Sequence, residues 1–123
     1  MQKTYFIYGS LLAGLAVAVG AFGSHWLKPL LEVNQRSDTF EIAVRYQFYH
    51  ALALLIMGLM AQQNPDKSFL LAGNLMFAGV IVFSGSLFVL CLTNMRWLGA
   101  VTPIGGVLML VAWALVLWQF VKK

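Results

Sequence analysis

The chain has 123 residues, of which 61% are hydrophobic and 10% are charged, and its formal net charge is +4. Soluble domains are about 25% charged, and so few charges cannot cover so much apolar surface in water, which excludes an ordinary soluble globular protein. The basic residues are spread over predicted helix ends without forming a basic face, which favours topology signals and lipid-headgroup contacts over nucleic-acid binding.

Four runs of the sequence contain no Asp, Glu, Lys or Arg. They are residues 4–27, 46–65, 68–95 and 97–121. Each is long enough for a membrane-spanning helix, which needs about 20 mostly apolar residues. We therefore predict an all-α, four-transmembrane-helix bundle that forms a single integral membrane domain over residues 1–123. The spans are expected at about 5–23, 46–62, 69–92 and 98–120, with a short interfacial helix between the first two.

The first span carries a stripe of small residues at intervals of four and three. Its members are Gly9, Ala13, Ala16, Gly20 and Gly23. Small residues let helix backbones approach closely in lipid, where dispersion and weak polar contacts drive association. We therefore predict that this stripe is a helix-packing surface, in the bundle or in an oligomer. The same pattern favours a retained helix over a cleaved signal peptide.

The segment between the first two spans contains half of the charged residues. Pro29 can begin a short helix there, with Trp26 dipping into the headgroup boundary. Asp38, followed three residues later by Glu41, resembles a capping box and predicts that the second helix begins near Thr39.

The second helix has a periodic face that should point into the bundle. Its residues are Ala43, Gln47, His50, Leu54, Met57 and Ala61. Gln47 and His50 are the polar residues on this face. Glu41 and Arg45 project from the opposite side, and we interpret them as a solvated i,i+4 ion pair.

The last two spans carry few polar features. A turn is expected at Asn64-Pro65-Asp66, because this sequence breaks helices. Asn74 is the one amide of the third span, and Thr102-Pro103-Ile104-Gly105-Gly106 is expected to interrupt the fourth helix early.

The basic residues do not select an orientation in the membrane. Four spans place both termini on one side, with Lys3, Lys67, Lys122 and Lys123, and leave Lys28, Arg36, Arg45 and Arg96 on the other. The positive-inside rule is therefore tied, and only partial neutralisation of Arg45 by Glu41 slightly favours cytoplasmic termini.

Several motifs together resemble a known family. They are Gly20-Ala21-Phe22-Gly23-Ser24-His25, Phe40, Tyr46 through Leu55, Phe83-Ser84-Gly85-Ser86-Leu87 and Thr102 through Gly106. In this order they resemble the YgdD/YwdK-like small bacterial membrane proteins, the family catalogued as domain of unknown function 423. Ser24 and Trp26 depart from the family pattern, which has alanine and glycine there. The resemblance implies a small polytopic inner-membrane protein and brings no activity and no catalytic residues.

Four polar residues are candidate ligand-binding residues: His25, Gln47, His50 and Asn74. Ionisable or polar groups at membrane depth are candidates for function, and the two histidines are expected near one membrane face. The sequence shows no Ser/His/Asp arrangement, phosphate loop, carboxylate pair or third metal ligand. We therefore expect no catalytic residues, no metal and no cofactor.

These observations favour a non-enzymatic, multi-pass protein of the bacterial inner (cell) membrane. Its expected role is to bind membrane lipids or partner membrane helices, including a second copy in a homo-oligomer, through its small-residue stripes. The alternative is a small transporter or proton-linked ligand binder that uses the four polar candidates. A more remote alternative is a haem-binding redox protein with His25 and His50 as axial ligands.

Overall fold

A computed structural model describes residues 2–122. Met1 and Lys123 lie outside this range, so the predicted position of Lys123 is also outside it. The helices are α1 (Gln2–Val17), a π-helical turn (Ala18–Gly23), α2 (Ser24–Trp26), α3 (Lys28–Asn34), α4 (Ser37–Gln63), α5 (Leu70–Thr93) and α6 (Leu98–Val121). No strand occurs in the described range. Four continuous helices, Lys3–Trp26, α4, α5 and α6, are long and apolar enough to cross a membrane. This confirms the predicted all-α, four-transmembrane-helix bundle.

The four long helices run alternately up and down, each against the next: α1 on α4, α4 on α5 and α5 on α6. At the end that holds the termini, the Lys67 ammonium lies 5.6 Å from the centre of the Phe120 ring. At the other end, Arg36 Nε donates a hydrogen bond of 3.0 Å to Asn94 Oδ1. The turn between α4 and α5 therefore contacts the end of α6, and the connection before α4 is bonded to the turn between α5 and α6.

The small-residue stripe of α1 faces α4. A Cβ atom on Gly9 would lie only 2.8 Å from the carbonyl oxygen of Ala51. Ala16 is 1% exposed, Ala13 packs against the core, and Cβ atoms on Gly20 and Gly23 would lie 3.0 Å from Val44 and 3.3 Å from Phe40. The stripe therefore packs inside the monomer.

The backbones of α5 and α6 also come into direct contact. A Cβ on Gly79 would lie 2.9 Å from the Gly105 carbonyl oxygen, and a Cβ on Gly105 would lie 2.7 Å from that of Gly79. The contact is reciprocal and backbone to backbone, with Met109 of α6 also against Gly79. Close approach of this kind maximises dispersion between helices in lipid.

Two further glycines accommodate aromatic rings of α1. A Cβ on Gly58 would lie 2.6 Å from the Phe6 ring, and a Cβ on Gly73 would lie 2.8 Å from the Tyr5 ring. Tyr5 is 2% exposed in consequence. These rings fix the height of α1 against α4 and α5.

The inward face of α4 is the one that periodicity predicts. Its six residues are all buried: Ala43, Gln47, His50, Leu54, Met57 and Ala61. The predicted capping box at Asp38 is wrong, although α4 begins within two residues of the predicted Thr39. The helix begins at Ser37 with Arg36 at the N-cap, and no side chain caps it. Asp38 lies in the first turn instead, where its carboxylate favours the positive end of the helix dipole.

The expected interruption of the fourth helix is also wrong, because α6 continues through Pro103. Pro103 lies early in the helix, so only the residues of the preceding turn have to adjust to its ring. Thr102 Oγ1 donates 3.2 Å to the Leu98 carbonyl in that turn and lies 2.6 Å from Ser86 Oγ on α5.

A short helix does lie between the first two spans, since α3 begins with Lys28 and Pro29. Its position at the membrane interface remains a prediction. α3 is followed by its C-cap residue Gln35, whose φ of 57° is left-handed. The backbone N–H of Arg36 then donates 2.9 Å to the Leu31 carbonyl, which closes the helix end.

The α5–α6 contact predicts different effects for two neighbouring glycines. Gly105→Ala should lower the free energy of unfolding by about 1–3 kcal/mol, because the new methyl group meets backbone atoms that cannot move aside. Gly106→Ala is the matched control, since its Cβ would lie 3.9 Å from the Phe83 ring, an ordinary contact. Unfolding in mixed micelles measures both, and an equal effect of the two substitutions would contradict the contact.

Candidate functional site

His50 lies midway along α4 and is 7% exposed. Its Nδ1 lies 2.8 Å from the Tyr46 carbonyl oxygen, and its Nε2 lies 3.0 Å from the indole Nε1 of Trp113 on α6. A carbonyl only accepts and an indole N–H only donates. The imidazole therefore carries its proton on Nδ1, is neutral, and uses its Nε2 lone pair on Trp113.

A cavity of about 370 Å³ lies beside this histidine. Its walls are mainly apolar and aromatic, with contributions from Tyr46, Phe83, Met109 and Trp113. Such a lining suits an apolar ligand or lipid chain better than an ion or a hydrated solute.

Gln47 contacts α1 and does not line the cavity beside His50. It is 5% exposed, and its Nε2 donates 2.9 Å to the Leu12 carbonyl of α1. On α5, Ser84 donates 2.7 Å to the Ala43 carbonyl of α4 in the same way. Both side chains join neighbouring helices through a backbone oxygen, which satisfies a polar group that lipid cannot.

The four candidate ligand-binding residues do not come together. Asn74 Oδ1 accepts a hydrogen bond of 3.0 Å from the Tyr8 hydroxyl, and Gln47 bonds α1. His25 is exposed in α2, at the end of the first span, whereas His50 is buried at mid-bundle. The expectation that both histidines lie near one membrane face is therefore wrong, because α4 begins well before its hydrophobic part and carries His50 inward.

A different group of residues forms a charged pocket of about 470 Å³. Its exposed polar rim comes from α2, α3 and the start of α4, and consists of Ser24, Lys28, Glu32, Ser37, Glu41 and Arg45. Its floor is apolar and consists of Gly20, Leu31, Phe40 and Val44. The pocket is thus charged at its mouth and hydrocarbon-like beneath.

The chain builds this pocket by docking the α3–α4 connection onto the end of α5. Asn34 Nδ2 donates 3.0 Å to the Cys91 carbonyl, one of the last carbonyls of α5. The Cys91 thiol lies 3.6 Å from the Arg36 carbonyl. With Arg36 also bound to Asn94, α3 is held against the bundle, and Lys28 and Glu32 face the start of α4.

The charges of the pocket balance. The Arg45 guanidinium pairs with the Glu41 carboxylate one turn away. In the range 2–122 the only other ion pair is Lys67–Asp66, at the opposite end of the bundle. Lys28 and Glu32 therefore face the pocket without an ion-pair partner in the described part of the protein. Two positive and two negative groups leave it with no net charge.

The pocket lies beside the bundle, not beyond its tip. Ser84, which bonds to Ala43, precedes the end of α5 by about 14 Å of helix axis. Glu41 and Arg45 flank Ala43 on α4, so their ion pair lies alongside the membrane-spanning helices. Long basic side chains at such a position extend toward the headgroups.

The sequence does not reveal this pocket, because its members come from separate segments. Glu41 and Arg45 form the predicted i,i+4 ion pair and are exposed, but no pattern in the sequence indicates that α3 folds back toward them. The sequence does contain a signal for Trp113, because an indole in the middle of a span needs an acceptor for its N–H.

Among residues 2–122, no three His, Cys, Asp or Glu side chains form a group that could hold a metal ion.

The His50–Trp113 hydrogen bond predicts that Trp113→Phe lowers the free energy of unfolding by about 1 kcal/mol, because Nε2 loses its donor in the bundle. Trp118→Phe is the control, since its indole has a similar exposure, 56% against 45%, and makes no hydrogen bond to another described residue. Nitrogen NMR of the imidazole should show the Nδ1–H tautomer. The Nε2–H tautomer, or equal losses for both tryptophans, would contradict the assignment.

Comparison with known proteins places the chain among membrane proteins. Residues 19–106 match the family described as "Protein of unknown function (DUF423)". A UPF0382 membrane protein of Staphylococcus aureus is 44% identical over 116 residues, covering 94% of this chain and 93% of its own. The UPF0382 membrane protein YwdK of Bacillus subtilis is 39% identical over 122 residues, covering 98% of each chain.

A comparison with solved structures finds no match. The family match covers most of the chain and the relatives cover nearly all of it, in agreement with the resemblance seen in the sequence motifs. The protein is a multi-helix membrane protein that belongs to the DUF423 (UPF0382) family.

Proposed function

We propose that this protein is a non-enzymatic, multi-pass protein of the bacterial inner (cell) membrane that binds membrane lipid in its charged pocket. The observation that carries the proposal is the layering of the pocket. Exposed charges at Lys28, Glu32, Glu41 and Arg45 lie over a floor that includes buried Leu31 and Phe40. A phospholipid has the same order of parts, with a charged headgroup over acyl chains.

The position of the pocket supports a lipid over a soluble ligand. Most of its floor belongs to membrane-spanning helices, because Gly20 lies in the first span and Phe40 and Val44 lie in α4. Lipid is present around these helices at very high local concentration. A weak site there is occupied without the affinity that a dilute soluble ligand would need.

The polar groups inside the bundle favour a structural role over catalysis or transport. Both nitrogens of His50 are engaged, and Gln47 bonds a backbone carbonyl. A transport path through the four polar candidates would need them in one cavity, whereas they contact different helices. Axial haem ligation would need a free imidazole nitrogen, and His50 Nε2 accepts from Trp113.

The proposed cellular site follows from the type of span. Helices that satisfy their own backbone hydrogen bonds are the form that spans the inner (cell) membrane, whereas outer-membrane proteins are closed barrels. The relatives from Staphylococcus and Bacillus are named membrane proteins.

Filling the pocket should displace the lipid. Ser37 lies on its rim, at the first residue of α4. We expect the protein extracted in mild detergent to retain a lipid in native mass spectrometry, and Ser37→Trp to lose most of it because the indole occupies the headgroup space.

The matched control is Ser68→Trp, at an exposed serine of the turn before α5, outside the pocket. It should retain lipid as the unsubstituted protein does. A protein that carries no lipid, or one from which both tryptophans remove it equally, would show that the pocket is not the lipid site.

A second candidate function is association with another membrane helix through the outer face of the first span, Lys3–Trp26. This face carries a separate row of exposed small residues: Ser10, Gly14, Ala18 and Ala21. A Cβ on Gly14 would meet nothing within 4 Å. Small residues four apart on a lipid-facing surface favour close helix pairing, and a second copy of the chain would supply the partner in a homo-oligomer.

Gly14→Leu tests this candidate. The bulky side chain has room in the monomer, so folding should be preserved while a homo-oligomer dissociates. Gly99→Leu on α6 is the control, because a Cβ there also meets nothing within 4 Å. Crosslinking in lipid measures the oligomer. Crosslinks that persist in Gly14→Leu, or their absence in the unsubstituted protein, would count against pairing through α1.

A further inference from the structure

We infer that the charged pocket selects a zwitterionic phospholipid headgroup with a primary ammonium, the chemistry of phosphatidylethanolamine. This inference rests on the proposed lipid-binding function and goes beyond it by naming the headgroup. The phosphate would bind Lys28 and Arg45, and the ammonium would bind Glu32 and Glu41.

The charge balance of the pocket favours a zwitterionic ligand. Two cations and two anions line one space, so a ligand with one charge of each sign leaves it neutral, whereas an anionic headgroup leaves it with a net negative charge beside Glu32 and Glu41. Like charges in contact at low dielectric repel more strongly than they do in water. The pocket therefore disfavours phosphatidylglycerol.

The spacing of Lys28 and Glu32 fits the two charges of one headgroup. They lie four residues apart on α3, on one face and about one helical turn from each other. Neither has an ion-pair partner in the described range, although both line the pocket. In phosphoethanolamine a two-carbon link joins the two charges, a span comparable to one turn, so a single headgroup can complement both side chains.

Hydrogen bonding separates the two zwitterionic classes. A primary ammonium donates three hydrogen bonds, and charge-assisted bonds to carboxylates are the stronger kind. The quaternary ammonium of phosphatidylcholine donates none. We therefore expect the order phosphatidylethanolamine, then phosphatidylcholine, then phosphatidylglycerol.

Competition in native mass spectrometry tests this order. The full-length protein is equilibrated in mixed micelles with equal amounts of the three lipids, all with the same acyl chains. Phosphatidylethanolamine should be retained over phosphatidylcholine by about fivefold, the ratio that corresponds to roughly one additional net hydrogen bond, and over phosphatidylglycerol by more. Equal retention, or preference for phosphatidylglycerol, would overturn the inference.

Charge substitutions locate the selectivity. Glu32→Lys makes the pocket net positive and should reverse the preference toward phosphatidylglycerol. The exchange Lys28→Glu with Glu32→Lys restores neutrality and should restore the preference for phosphatidylethanolamine. Asp66→Lys makes the same change of overall charge at the opposite end and should leave selectivity unchanged. A reversal by Asp66→Lys equal to that by Glu32→Lys would show that total charge, and not this pocket, sets the preference.

The failure of this inference is distinguishable from failure of the proposed function. Retention of all three lipids alike, lost in Ser37→Trp, would refute headgroup selection and leave lipid binding standing. No retained lipid would refute both. Soluble glycerophosphoethanolamine at millimolar concentration should not displace the lipid, because it lacks the acyl chains that the apolar floor contacts. Its displacement of the lipid would identify a soluble ligand instead.

Discussion

The fold depends on the direct contact of helix backbones in a medium that gives them no hydrophobic reason to associate. Lipid tails are as apolar as leucine, so packing contacts and a few polar bonds must hold the bundle together. The reciprocal approach of Gly79 and Gly105 supplies one of these contacts, and the Gly9 surface of α1 supplies another against α4. Aromatic rings from α1 pack directly over Gly58 of α4 and Gly73 of α5.

Polar side chains inside the bundle add direction to this packing. Gln47 and Ser84 donate to backbone carbonyls of neighbouring helices, and His50 receives the Trp113 indole. Each bond satisfies a group that the membrane cannot, so each opposes sliding of one helix along the next. These polar groups of the mid-bundle therefore hold α1, α4, α5 and α6 in register.

The two ends of the bundle differ, and this difference locates the candidate site. The end with the termini is closed by a short turn packed on Phe120. The other end carries a longer connection, which Asn34 and Arg36 fasten to the last turn of α5. Because α3 is folded back, charges distant in sequence face one another over an apolar floor at the side of the helices. An amphipathic pocket is the consequence of that docking.

The sequence by itself determined the number of spans and the inward face of α4. Burying a charge in hydrocarbon is costly enough that charge-free runs reveal the spans, and the 3.6-residue period placed Gln47 and His50 inside. It could not show which glycines touch, because in lipid the outward faces of α5 and α6 are as apolar as their inward faces. Only the tertiary structure decided that Gly79 meets Gly105, that His50 meets Trp113, and that Lys28 and Glu32 share a pocket with Arg45. These contacts join residues of different helices, and their geometry depends on how each helix is rotated and how the connections fold.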